Sequence, residues 1–282
     1  MLKQLLRFSS QVFNQPQLIT AEEFSPIVDY LSKRNLGEIS MMEDNEGDYP
    51  DKENEIEITN GVAFIKIEGA LSYKPVKMMC SPEGTSYVGL VEQVTEAISA
   101  GADTIVFEHS SGGGQALGCF LMANEVRMLM DEAGVKSYSY IDEGSYSASY
   151  AWACISDEVI ISPEASCGSI GCICAMIDNS EAMAKEGYRR VVISSTPGKS
   201  PYNEDGGFSE QFLAKMQEDV TRLGNTFAEH VAKYTGLPVD DILAMDAQTF
   251  YAEKALEIGL VNSIMTPREF MNYLMTKGSN YA

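Results

Sequence analysis

The sequence predicts an α/β domain on a parallel sheet, preceded by an N-terminal helical extension, and three observations carry that reading. From Gly61 onward, apolar runs of strand length alternate with stretches of helical period, an order that pairs strands in parallel and lays the connecting helices over the sheet. The chain has 282 residues, 45% of them hydrophobic, enough for one sizeable core. A single amphipathic segment stands apart near the N-terminus, ahead of a stretch too acidic to pack.

Phe24, Ile27, Val28 and Leu31 fall on one side of a helix over residues 21–34. Residues 43–57 then carry eight acidic side chains and one lysine, broken by Gly47 and Pro50, the composition of a solvated linker. The main domain opens with the strand VAFIKIEG, followed by a helix over 86–99, the strand TIVFEH, a helix over 116–131 and the strand YSYI. Short strands are expected at EVIIS (158–162), CICAMI (172–177) and RRVVIS (189–194), with a short helix over 147–155. Phe212, Met216, Val220, Leu223, Phe227 and Val231, three or four residues apart, predict a long helix over 209–234. After Gly236 and Pro238 come a short helix, another over 252–258, and the closing strand LVNSI. The expected division is an N-terminal helical extension (1–42), an acidic linker (43–58), the main domain (59–265) and a C-terminal tail helix (266–282).

Forty-one acidic against twenty basic side chains give a formal charge of −21. Such a surface gains no counterion release on nucleic acid and is repelled by anionic lipid, so neither is an expected partner. The opening MLKQLLRFSSQVF lacks the apolar core and cleavage site of a signal peptide, and no run reaches the ~20 apolar residues of a membrane span. Six cysteines without CxxC pairs or nearby histidines read as reduced, mostly buried thiols. Cys172 and Cys174 face one side of the expected strand, but two ligands do not make a metal site, and no cofactor is expected.

Two segments have the residue types for catalysis. In SSGGGQ (110–115) three glycines follow a buried strand and precede a helix, so their amides can cradle an anion or oxyanion; the spacing fits neither dinucleotide nor P-loop patterns. In GSYSASYAWAC, Ser145, Ser147 and Ser149 all stand at the start of a short apolar helix. A serine there either caps the helix or presents a nucleophilic hydroxyl beside free amides.

SASYAWAC followed by DEVIISPEASCGSIGCI resembles the signature of the signal peptide peptidase A family, a serine opening a Ser-small-small-Tyr motif with a Gly-Ser-Ile-Gly strand beyond it. SSGGG resembles that family's Ser-Pro-Gly-Gly oxyanion loop, with Ser111 in the proline position, and DAQTFYAEKALEIGLVNSI resembles its closing segment. The likeness runs over residues 61–264 in consistent order. It implies a Clp protease/crotonase-like fold of repeated ββα units and a serine endopeptidase with a Ser-Lys dyad and no metal. Carried over by position, Ser147 is the nucleophile, Ala148 and Gly112 or Gly113 give oxyanion-hole amides, Lys199 in ISSTPGK is the base, and Ser169 orients the lysine. Thr196 stands where the family has glycine. A lysine accepts a proton only from its neutral form, so such a site must be apolar. His109 is the rival base, but the only acidic residue beside it, Glu108, points to the other strand face, and a structural role fits it better. His230, within the long helix, reads as a surface or packing residue.

TSY at 85–87 and SASYAWA in place of Ser-Gly-Gly-Tyr-Tyr resemble the phage prohead protease branch. That implies scaffold, portal or capsid proteins as substrates, a homo-oligomeric ring whose sites are completed by neighbours, and a place in the host bacterial cytoplasm within the prohead or virion. The alternatives are a catalytically inactive capsid-assembly or scaffolding protein on the same fold, or a host cytoplasmic signal peptide peptidase-like protease. An acyl-CoA enzyme of the crotonase type would need an acidic base and a basic phosphate patch, and the sequence offers neither.

Overall fold

The computed structural model describes residues 12–35, 56–75 and 84–278; the acidic stretch at 43–55 lies outside them. Five strands run parallel in the order of the chain: β3 (Val62–Leu71), β4 (Thr104–Gln115), β5 (Lys136–Tyr146), β6 (Glu158–Ile161) and the closing β9 (Ser263–Ile264). β2 (Glu57–Thr59) folds back antiparallel on β3. Its two-residue turn, Asn60–Gly61, holds both residues at positive φ (52° and 80°), the mirror-image turn whose twist matches that of the strands. β7 (Ser166–Gly168) lies beside the end of β5 and pairs antiparallel with β8 (Thr249–Tyr251). β1 (Gln17–Ile19) pairs antiparallel with the last residues of β4.

The helices follow the predicted alternation. α1 (Ala21–Asn35) precedes the sheet, and α2 (Tyr87–Ser99) and α3 (Cys119–Ala133) connect β3 to β4 and β4 to β5. Ser86 caps α2 by accepting from the Gly89 amide, and Tyr87, Leu90, Val94 and Ala97 form its buried stripe. α4 (Ala148–Ala153) is buried at every residue, and α5 (Ser180–Lys185) lies outside the core. α6 (Glu210–Thr235), α7 (Val239–Ala244), α8 (Ala252–Glu257) and α9 (Pro267–Gly278) complete the chain. The main core joins Ile65, Ile67, Ile105 and Phe107 of the sheet to Tyr87, Val126, Trp152 and Phe227. On the opposite face Val106, Tyr138, Tyr140 and Ile160 meet Phe270 and Leu274 of α9, with the Tyr140 and Phe270 rings stacked at 4.7 Å.

Two expected strands do not form. Residues 172–177 make only isolated bridges, through Ile173 and Ala175, and residues 189–194 make no strand, leaving Val191 71% and Ile193 96% exposed. β-branched residues favour a pleated surface only where a neighbouring strand covers them, and among the described residues 189–194 has no such neighbour. Among the described residues, no group of three or more metal-ligating side chains occurs, and no helix is long and apolar enough to cross a membrane.

The base of the sheet is tied by Asp157, whose carboxylate accepts from the Ser137 amide (2.8 Å) and hydroxyl (3.1 Å) and lies 3.3 Å from Arg127 and 3.5 Å from Lys136. Burial works to raise its pKa, but the Ser137 amide and the two cations prevail and hold it below the ordinary 3.8. A carboxyl so depressed stabilises the fold above its unfolded pKa, and that contribution is lost as pH falls through the folded value. Asp157→Ala is expected to cost about 2 kcal/mol at neutral pH, with the gap to wild type narrowing below about pH 4. Urea denaturation at both pH values checks this; an unchanged gap would refute the ionic contribution.

Candidate active site

β5 ends and α4 begins at Ser147, whose backbone sits at φ 53°, ψ −118°, a conformation that side chains rarely adopt and that costs about 1–3 kcal/mol. The surroundings enforce it. The Ser147 amide donates to Gly168 O of β7 (2.9 Å), and its carbonyl accepts from Ala151 (3.0 Å). Small residues let α4 sink into the core, where the Tyr150 hydroxyl donates to Leu260 O (2.7 Å) and His230 of α6 to Ala151 O (2.8 Å). His230 is therefore a buried packing residue; burial lowers its pKa to about 4, so it stays neutral.

The three serines of this turn separate by their partners. Ser145 and Ser149 bond each other at 2.9 Å, and both face Nδ1 of His109, at 3.4 and 3.0 Å. Nε2 of the same ring meets Ser139 (3.1 Å), which continues to Ser156 (2.8 Å). Ser147, fully buried, has a hydroxyl with no hydrogen-bond partner among the described residues. An orphaned buried hydroxyl on a strained backbone costs stability twice, the mark of a residue kept for something other than folding. His109 is the hub of a buried serine cluster, and burial lowers its pKa to about 3.

The end of β4 closes on this turn. A Cβ on Gly113 would lie 3.0 Å from the Ser147 Cβ and from Tyr146 O, and 2.1 Å from Leu18 O, so only glycine fits. Ser111 braces the loop, its hydroxyl donating to Gly69 O (2.6 Å) and accepting from the Gly113 amide (3.1 Å). Gly112 lies under the Glu23 carboxylate, which a Cβ there would strike. The Ala148 amide is the first of α4 and has no acceptor within the helix. Gly113 is thus packed against Ser147, with its own amide engaged by the Ser111 hydroxyl, and Ala148 follows the serine directly in the chain.

Ser169 adjoins Gly168, whose carbonyl holds the Ser147 amide; it is half-buried at φ 54°, with its own amide on Gln248 O (2.9 Å). Lys199 stands elsewhere. It ends a 3-10 turn, Pro197–Lys199, is exposed, and its amine makes no hydrogen bond or ion pair with Ser147, Ser169 or any other described residue. Sequence reasoning did not find the covering of this site by Leu18 and Glu23. The only signal for it was the apolar pair Leu18–Ile19 before Thr20, which accepts from the Glu23 and Phe24 amides at the start of α1.

The sequence matches the profile of peptidase family S49 over residues 131–280. It is 24% identical over 220 residues to a head-tail preconnector protein of Enterobacteria phage P21, covering 78% of this chain and 44% of that protein. It is 22% identical over 284 residues to the capsid assembly protease C of Escherichia phage lambda, covering 94% of this chain and 64% of that protein. The chain thus spans from under half to under two thirds of the length of these relatives. A solved peptidase structure from Plasmodium falciparum aligns with a TM-score of 0.43 at 12% identity, over 72% of this chain and 94% of that one. With the matched region extending from the end of α3 through the Ser147 turn to α9, the chain belongs to peptidase family S49.

Proposed function

We propose that this chain is a serine endopeptidase acting on scaffold, portal or capsid proteins within an assembling phage head, with Ser147 as nucleophile and Lys199 as base. The observation that carries it is the orphaned, buried Ser147 hydroxyl on a strained strand-to-helix turn beside the glycine loop. The phage relatives, one of them named as a capsid assembly protease, support the substrate class. In this reading residues 59–265 form the peptidase unit, and residues 1–42 an extension joined to it by the acidic linker.

Attack of Ser147 Oγ on a peptide carbonyl moves the hydroxyl proton to the lysine amine, and the carbonyl oxygen takes the Ala148 and Gly112 or Gly113 amides. The protonated lysine gives its proton to the leaving amine, and water then hydrolyses the ester. Lys199 reaches a Ser147 hydroxyl in a ring, across a subunit boundary. The segment that carries it leaves Tyr188, Val191 and Ile193 turned to solvent among polar and basic residues, the kind of surface a neighbouring subunit covers. The isolation of Lys199 within one chain favours a second reading, a capsid-assembly protein on this fold without catalysis.

Three measurements decide. Ser147→Ala should lower cleavage of a fluorescent casein by about a thousandfold or more and abolish fluorophosphonate labelling. Ser147→Gly, equally inactive, should gain about 1 kcal/mol of stability by releasing strain and the buried hydroxyl. Labelling that persists without Ser147 would sink the nucleophile.

Lys199→Arg should be inactive, because guanidinium stays protonated. Mixing it with Ser147→Ala should restore activity through hybrid rings in which one subunit gives the serine and the other the lysine. Two variants that stay dead when co-assembled would exclude the shared site.

The pH–rate profile should show no turn from His109 in the range of roughly pH 5–8, where an ordinary imidazole titrates, since burial keeps this one neutral down to about 3. A histidine-like turn there, lost in His109→Gln, would reassign the base.

A further inference from the structure

Residues 13–20 lie as an inserted strand between two backbone edges at the site. On one side Gln17, Leu18 and Ile19 pair antiparallel with Gln115, Gly114 and Gly113, and the Thr20 amide donates to Gly112 O (3.0 Å). On the other, Gln17 exchanges hydrogen bonds with Ile173 (2.7 and 2.9 Å), and the Asn14 amide donates to Ala175 O (3.0 Å). Leu18 is fully buried, and its carbonyl packs on Gly113, which itself touches Ser147. Its apolar side chains divide: Leu18 joins the main core, while Ile19 and the partly buried Phe13 belong to a satellite cluster with Val12, Phe24, Leu31, Ile173 and Ala175.

Without this segment the two edges would stand about two strand spacings apart, roughly 10 Å, with unpaired amides and carbonyls facing each other across Ser147. Such a slot takes an extended peptide as an added strand: the backbone supplies affinity and alternate side-chain pockets supply selectivity. We propose that residues 13–20 are an internal stand-in for substrate, and that a substrate segment replaces them antiparallel to Gly113–Gln115, with an apolar side chain in the place of Leu18. The proposal rests on the peptidase reading for its substrate, and on backbone geometry alone for the slot. It also explains why Ser147 is fully buried in an isolated chain.

The test uses the full chain with the strand weakened, as Leu18→Asp, which puts a charge in the buried pocket, and as Gln17→Pro, which removes the donor to Ile173. Casein cleavage and fluorophosphonate labelling should rise roughly fivefold or more over wild type, because the closed state no longer taxes substrate binding. A fluorescent peptide of residues 13–20 should bind both variants, tracked by anisotropy, and bind wild type far more weakly. An active protein whose rates do not change would overturn the stand-in strand and leave the peptidase reading intact. Peptide binding to the opened variants with no cleavage by any form would support the slot and remove the peptidase reading. No peptide binding, or loss of folding in both variants, would make residues 13–20 an ordinary part of the core and end the proposal.

Discussion

The close approach of the end of β4 to the β5–α4 turn is the constraint on which the site depends. Three consecutive residues, Gly112, Gly113 and Gly114, are approached from three directions. A side chain would strike Glu23 at the first, Leu18 O and the Ser147 Cβ at the second, and Leu71 O, at 1.9 Å, at the third. β3 and β1 pair with this short stretch, and the last carbonyl of β5, Tyr146 O, abuts Gly113, because it presents bare backbone. Any side chain would push at least one neighbour away and separate the glycine amides from the serine. What looks in the sequence like a flexible turn is, in the fold, closely surrounded backbone.

The strain at Ser147 persists because its neighbours are fixed by buried polar contacts. His109, with Ser139, Ser145, Ser149 and Ser156, forms a chain of short hydrogen bonds beneath the turn. No carboxylate takes part in those bonds, so burying the cluster requires no charged group to be desolvated, and the imidazole remains neutral. A network whose members satisfy one another is rigid in a low-dielectric interior. That rigidity lets one hydroxyl in the same turn be left without a partner.

Much of this was legible in the sequence, and the exceptions share a cause. The alternation from Gly61, the helix expected over 86–99 and the long helix α6 depend on local pattern, and the chain forms them as expected. The triad of small serines was visible, but which of them is orphaned depends on the tertiary position of His109. β1 spans three residues, too short for an alternating pattern to register, and it exists only because β4 offers an edge. Residues 189–194 show the reverse, with strand-like composition and no edge to join. Lys199 was placed by resemblance, and in the fold it is exposed, with no hydrogen bond or ion pair to a described residue.

Ser147 and Lys199 therefore pose complementary problems within a single chain. Under the proposed dyad, the serine has a prepared setting but no lysine within it, and the lysine stands exposed, away from the serine. A chain of net charge −21 meets copies of itself against Coulomb repulsion, so an assembly needs apolar or charge-complementary contact to offset it. Tyr188, Val191 and Ile193 supply such a surface, and they lie on the segment that leads to Lys199. Under the proposed assembly, burying that segment against a neighbour would favour association and also move the lysine out of water. The desolvation needed for an amine to act as a base would then come from subunit contact, and an isolated chain, its serine covered by its own N-terminal strand, would be protected from premature cleavage twice over.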